Sequence, residues 1–294
     1  MEEGRIIKGI SGFYYVGLAD GLYECKGRGI LRKEKVKPLV GDWVQVSHLD
    51  KQEKTGTLEG VLPRNNQLKR PEIANVDQVV IVLSLKNPSP SLMLMDKIIV
   101  LAEDLGLGVV LCINKGDLES ESSTGAEEIR EIYEPTGYPL VFTSAKESRG
   151  IDGLRNKLKG KVSVFAGPSG VGKSSLLNAI KPGLQLKTGE VSERIQRGKH
   201  TTRHTELVPI DEDSWIADTP GFGNLNVEEI PQENLRFCFR EFLEPMENCK
   251  FTSCMHLKEP KCAVKARVEE GSISKKRYEH YVQFMTEINE KRRG

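Results

Sequence analysis

Between residues 5 and 62 the apolar positions come in short runs, each closed by a turn pair. The runs at 5–10, 13–18, 22–25, 29–31 and 43–46 read as strands, with Ser11-Gly12, Asp20-Gly21 and Gly41-Asp42 among the turns between them. Five or so short strands in so little chain predict a small closed barrel of the five-stranded OB type. From about Asn75 the texture changes. An apolar run at 78–85 predicts a strand, and 92–105 has helical periodicity. Strands then alternate with helices: strand 108–113, helix 126–133, strand 140–142, helix 151–158, strand 162–166, helix from 173 to 180, and a last strand at 215–217. Such alternation implies a parallel sheet covered on both faces. Beyond residue 231 the chain is polar and mostly helical around a cysteine cluster. Tyr278, Tyr281, Phe284, Met285 and Ile288 form the apolar stripe of a closing helix, with His280 expected on its solvated side. The predicted division is a multi-domain α/β protein: a barrel over 1–68, an α/β domain over 69–225 and a helical module over 226–294.

Composition changes this picture little. Of 294 residues, 38% are hydrophobic and 29% charged, enough to build a sizeable core. No apolar run approaches the ~20 residues of a membrane helix, and the N-terminus lacks a basic-then-apolar leader. A cytoplasmic protein with no membrane partner is the expectation. Charge adds a hint. Both ends are net basic around an acidic centre, as flanks that touch nucleic acid would be, although ordinary solvated faces give the same pattern. Lys26, Arg28, Arg32, Lys33, Lys35 and Lys37 cluster after the third strand. Phe13, Tyr14, Tyr15, Tyr23 and Trp43 could stack on bases, while strand alternation assigns about half of them to the barrel core.

The strongest chemical signal is the run Gly167, Pro168, Ser169, Gly170, Val171, Gly172, Lys173 and Ser174, a full GxxxxGK[ST] followed by Ser175. It lies between a predicted strand and a predicted helix, the setting this phosphate loop requires. Its glycines let backbone N–H groups curl around an anion at a helix N-terminus. Lys173 would reach the β- and γ-phosphates and Ser174 would offer its hydroxyl to Mg²⁺. Downstream, Asp218 and Gly221 frame a DxxG after the strand 215–217, suited to Mg²⁺ and the γ-phosphate. Between them, 197–203 reads as a switch loop in which Thr201 or Thr202 is a Mg²⁺ and phosphate ligand.

Asn114, Lys115, Gly116 and Asp117 follow the strand 108–113 as an NKxD motif. An aspartate there accepts hydrogen bonds from the guanine ring N–H and amino group, which adenine cannot supply, so an ATP-using kinase is disfavoured. Ser144, Ala145 and Lys146 stand one β-α unit later, where a backbone N–H can meet the guanine oxygen. Cys249, Cys254, His256 and Cys262 give C-x4-C-x-H-x5-C, a donor set for a closed tetrahedral Zn²⁺ site. Cys25, Cys112 and Cys238 lie in apolar stretches and read as buried packing residues.

In this chain the base motifs precede the phosphate motifs, the reverse of the ordinary GTPase order. That permuted order, behind a small β-domain and ahead of a Cys/His module, strongly resembles the circularly permuted GTPases of the ribosome small subunit-dependent GTPase A family, over nearly the whole chain. The resemblance implies an OB-fold barrel, a permuted G domain and a C-terminal zinc module on the four Cys/His residues. It implies a GTP hydrolase, stimulated by the small ribosomal subunit, that binds GTP or GDP with Mg²⁺ and contacts 16S rRNA as a nucleotide-gated maturation factor. We expect a monomer. Phe222 occupies the place where many GTPases carry a water-orienting Gln, and a hydrophobic residue there agrees with the family the chain resembles. The resemblance points to His200 for the water, beside Lys173 and Thr202, with His204 second; each histidine is equally readable as a solvated or RNA-contacting loop residue. The rival reading is an RNA-binding scaffold in which hydrolysis is incidental.

Overall fold

The computed structural model describes residues 1–29, 31, 36–69, 72–121, 125–184, 206–218 and 226–292. Its strands are β1 (Glu2–Ile10), β2 (Phe13–Leu18), β3 (Gly21–Gly27), β4 (Trp43–Asp50), β5 (Thr55–Val61), β6 (Gln67–Lys69), β7 (Glu72–Ala74), β8 (Gln78–Ser84), β9 (Gly108–Asn114), β10 (Leu140–Phe142), β11 (Val162–Ala166), β12 (Glu206–Pro209) and β13 (Trp215–Asp218). The longer helices are α1 (Leu92–Asp104), α2 (Ala126–Tyr133), α3 (Ile151–Leu158), α4 (Lys173–Ile180), α5 (Arg240–Met246), α6 (Ala263–Glu269) and α7 (Lys275–Lys291). These elements form two compact units.

The first unit holds residues 1–78, 158–165 and the strands β12 and β13. Its barrel runs β1-β2-β3-β5-β4, and β4 closes on β1 with Gly4 opposite Val44. Alternation fills the interior: Ile6, Val16, Tyr23, Cys25, Val44, Val46 and Leu58 are all fully buried. One expectation fails here. The fifth strand is Thr55–Val61, and of the expected strand 29–31 the described residues Gly29 and Leu31 have helical backbone. A three-residue run beside a glycine and a basic stretch offers too little ladder. The true strand, TGTLEGV, has two glycines and a single fully buried side chain, which hid it from periodicity. Of the five aromatic residues, Tyr23 alone is wholly inside; Phe13, Tyr14 and Tyr15 are half-buried, and Trp43 is exposed with the Arg5 guanidinium 4.7 Å from its ring. Beside the barrel, β11 pairs parallel with β13, and β12 runs antiparallel to β13 and meets β1 at Lys8↔Glu206. The sheet is therefore mixed rather than wholly parallel.

The second unit holds residues 79–157, 166–184 and 226–292 among those described. Its strands stand in the order β10-β9-β8, β10 parallel to β9, and every residue of β8 is buried, as a strand with both faces covered requires. Helix α1 begins where the Ser91 hydroxyl accepts a bond from the Leu94 N–H at 3.3 Å. The C-terminal helices share one apolar core: Phe239, Phe242, Tyr281, Phe284, Met285 and Ile288 pack together with Val100 of α1. Phe239 and Phe242 stack at 5.0 Å, and Tyr281 meets both edge-on. Cys25, Cys112 and Cys238 are buried, as expected.

His280 corrects a second expectation. It is buried rather than solvated, and its Nδ1–H donates to Asp96 Oδ2 at 2.5 Å. Asp96 Oδ1 accepts from Tyr133 Oη at 2.9 Å and from the Arg277 guanidinium, which also bonds Glu241. The helix wheel put His280 on a polar face. That face turns out to be covered by α1.

Candidate nucleotide and metal sites

Three loops of the second unit meet around Asn114, at the end of β9. Its Nδ2 donates to the Val171 carbonyl of the phosphate loop at 2.9 Å. Its Oδ1 accepts from Thr143 Oγ1 and from the Ala145 N–H, both at 3.2 Å. One buried amide therefore ties the NKGD segment to the phosphate loop and to the Ser144-Ala145-Lys146 turn. Gly172 makes the approach possible: at φ +92°, a Cβ there would lie 2.4 Å from Asn114 Nδ2. Gly167 is held as tightly, since at φ +139° its Cβ would come 2.1 Å from the Val82 carbonyl oxygen.

Within the phosphate loop, Lys173 opens α4 and its ammonium donates to the carbonyls of Gly167 and Pro168, each at 2.7 Å. Burial pulls its pKa below the ordinary lysine value. Ser169 and Gly170 are exposed at the loop crest, and Ser174 and Ser175 are half-buried in the first turn of α4. On the base side, Asp117 Oδ1 accepts from Ser144 Oγ at 2.7 Å. That bond, with the nearby charges of Lys146 and Arg149, holds the carboxyl below its usual pKa against the opposing effect of burial. Gly116 N–H donates to Thr143 O at 2.9 Å, and Lys115 takes a left-handed backbone at φ 61° with its ammonium on the Asn87 carbonyl. The arrangement joins a carboxylate acceptor for a base edge to a phosphate loop at a helix N-terminus.

Sequence reasoning missed Thr143, a buried orienter of Asn114, although its place just before Ser144 at a strand end was a usable signal. Arg149 was also missed; it bridges to Ser144 through two backbone bonds and closes the 144–149 turn. Asp218 closes β13 opposite Glu206. His200, Thr201, Thr202, His204 and Gly221 lie outside the described residues.

The four metal-ligand candidates converge between α5 and α6. One donor atom from each of Cys249, Cys254, His256 and Cys262 lies within 4.8 Å of the others. His256 Nδ1 faces the sulfurs, 3.4 Å from Cys262 Sγ and 3.7 Å from Cys249 Sγ. Burial pushes His256 down to about 4, so its imidazole is neutral as a metal ligand must be. Burial also drives the Cys254 thiol up to about 12, a cost that a central cation reverses by binding thiolate. Tyr278 and Tyr281 of α7 brace the loop, donating to the carbonyls of His256 at 2.7 Å and Met255 at 2.6 Å. The donor set fits one closed four-coordinate metal ion.

Comparison with known proteins bears on both sites. A family model described as RsgA GTPase matches residues 61–228, and one described as RsgA N-terminal domain matches residues 3–58. A protein of Alkaliphilus metalliredigens named small ribosomal subunit biogenesis GTPase RsgA is 47% identical, covering 100% of both chains. One of the same name from Caldanaerobacter subterraneus is 48% identical over 98% of this chain and 96% of that one. Among solved structures, YjeQ from Thermotoga maritima superposes with a TM-score of 0.85 at 41% identity, covering 98% of each chain. YloQ, titled a circularly permuted GTPase, does so with 0.85 at 42%, covering 99% of this chain and 96% of its own.

Proposed function

The chain belongs to the RsgA GTPase family, and from that membership we propose how its residues carry out the family's reaction. It is a GTP hydrolase acting in small ribosomal subunit biogenesis. The scaffold reading, with incidental hydrolysis, is not favoured.

Asp117 reads the guanine N–H and amino group, Lys115 lies along the base, and a backbone N–H of the Ser144–Lys146 turn meets the guanine oxygen. Residues 167–174 wrap the phosphates, and Lys173 exchanges its two loop carbonyls for phosphate oxygens. Ser174 and Thr202 hold Mg²⁺, which when bound neutralises phosphate charge; Thr201, Asp218 and Gly221 complete the γ-phosphate side. His200 orients the water. With Phe222 where a Gln would stand, turnover is slow until the small subunit completes the site. Cys249, Cys254, His256 and Cys262 hold one structural Zn²⁺. The barrel (1–68) and the zinc module (226–294) flank the G domain (69–225) and contact 16S rRNA, with nucleotide state gating the grip. The protein works as a cytoplasmic monomer; no helix among the described residues is long and apolar enough to cross a membrane.

The observation that supports this reading most is the Asn114–Val171 bond, because it preassembles base loop and phosphate loop around one nucleotide. The test is GTP turnover with and without purified small subunits, for the wild type and Asp117→Asn. Subunits should accelerate the wild type, and the variant should turn over xanthosine triphosphate in preference to GTP. No acceleration by subunits would restore the scaffold, and unchanged guanine preference would remove Asp117 from the base site.

A further inference from the structure

The barrel carries a cavity of about 360 Å³ that the GTPase reaction does not use. It sits between the β1–β2 turn at Gly12, the end of β3 at Gly27 and the segment Val36 to Pro38. Tyr14 and the aliphatic residues Leu31, Val36 and Pro38 line it. The ring lies close to bare backbone, since a Cβ at Gly27 would be 3.6 Å from both Tyr14 and Leu31. Arg28 and Lys37 line the cavity as well, and both are mostly exposed. Their partners are carboxylates, Glu59 for Arg28 at 2.5 Å and Glu72 for Lys37. Lys37 and Glu72 are both exposed, a weak pair from which a phosphate can take Lys37. Arg28 is exposed while Glu59 is largely covered and also accepts from Ser47, so a phosphate there shares Arg28 with Glu59.

The three tyrosines of β2 and β3 separate by partner. Tyr15 donates to Glu24 and Tyr23 to Asp20, each at 2.9 Å. The Tyr14 hydroxyl has no hydrogen bond among the described residues, and Tyr14 lines the cavity. An aromatic ring, aliphatic residues and two exposed cations match the parts of one nucleotide: a base to stack, a sugar edge, and a phosphate on either side. The volume is at the small end of the ~300–1,000 Å³ usual for ligand clefts, which suits a nucleoside better than a peptide segment.

We propose that this cavity takes one unpaired nucleotide of single-stranded RNA, its base stacked on Tyr14 and its flanking phosphates held by Arg28 and Lys37. The inference rests on the proposed contact between barrel and RNA, and names the form of RNA that contact takes. Stacking does not depend on charge. Its loss should therefore change affinity without changing how affinity falls with salt.

The experiment uses the full chain and two fluorescent RNA dodecamers of equal length and phosphate number, one of mixed sequence and one abasic at every position. Wild type should bind the dodecamer with bases about tenfold more tightly by anisotropy, a typical stacking effect. Tyr14→Leu keeps apolar bulk against Gly27 but offers no ring face; it should lose that tenfold, with abasic affinity and salt slope unchanged. Tyr14→Phe should retain it, and urea melts of both variants report whether the barrel is folded. Equal affinity of wild type and a folded Tyr14→Leu for the mixed dodecamer overturns the nucleotide pocket. If duplex RNA then still binds, the RNA contact of the barrel stands without it. If no RNA binds in any form, both fall together.

Discussion

Asp96 and Asp117 belong to the same compact unit and do opposite things. Asp96 is fully buried, and three donors from elsewhere in the chain, Tyr133, Arg277 and His280, fill its two oxygens. Burial works against the Arg277 charge, yet Asp96 and Glu241 together raise its pKa well above the ordinary arginine value. Asp117 takes a side-chain bond from Ser144 and stays partly open to solvent. The difference teaches how to read a polar cluster. One whose valences close on themselves holds helices together, and one left open has capacity for a ligand.

The largest expected effect breaks the closed cluster. Arg277→Ala leaves Asp96 and Glu241 buried without their cation and should cost about 3–5 kcal/mol, read as a fall in the urea midpoint. Asp117→Ala should stay within about 0.5 kcal/mol of wild type. Equal losses would erase the distinction between the two aspartates.

The Cys/His cluster sharpens the comparison because its geometry is closed while its valence is open. At free Zn²⁺ a hundredfold above its dissociation constant, bound metal stabilises by about 2.7 kcal/mol, which chelation should remove. Helix α7 shares its core with Cys254 and Cys262 as well as Phe239 and Phe242, so its hydrogen exchange should quicken on chelation. Elemental analysis finding no zinc, or chelation leaving the urea midpoint unmoved, would contradict the assignment.

The smallest effect concerns pH. Asp117 is held below its ordinary 3.8, chiefly by Ser144. A depressed carboxyl contributes above its unfolded pKa and loses that contribution as pH falls through the folded one. GTP affinity should therefore show no Asp117-dependent change from pH 8 to 5 and decline only beneath 3.8. Ser144→Ala should move the Asp117 titration upward, as seen by carboxyl NMR. An unmoved midpoint would mean that Lys146 and Arg149, not Ser144, set it.

Much of this was legible beforehand. The strands around the phosphate loop and NKGD, helix α2 and helix α3 match their periodicity, and the Cys/His spacing anticipated the cluster. Less legible was β12, whose four residues carry a single fully buried side chain. Thr143 escaped notice because an orienting hydroxyl has no motif of its own.

What the sequence determined by itself is whatever a contiguous stretch can dictate. GxxxxGK[ST] sets glycines where the backbone must turn, NKGD and the Ser144 turn end two neighbouring strands, and four donors fall within one short loop. Only the tertiary structure decided that Thr55–Val61 joins β3 to β4 in the barrel and that His280 is inside. The physical reason is sequence distance. Asp96 meets Arg277 and His280 across 181 and 184 residues, and whether such groups meet depends on which helix faces are buried together. Local periodicity marks which positions on α7 are polar, but packing against α1 decides whether water or a buried carboxylate satisfies them.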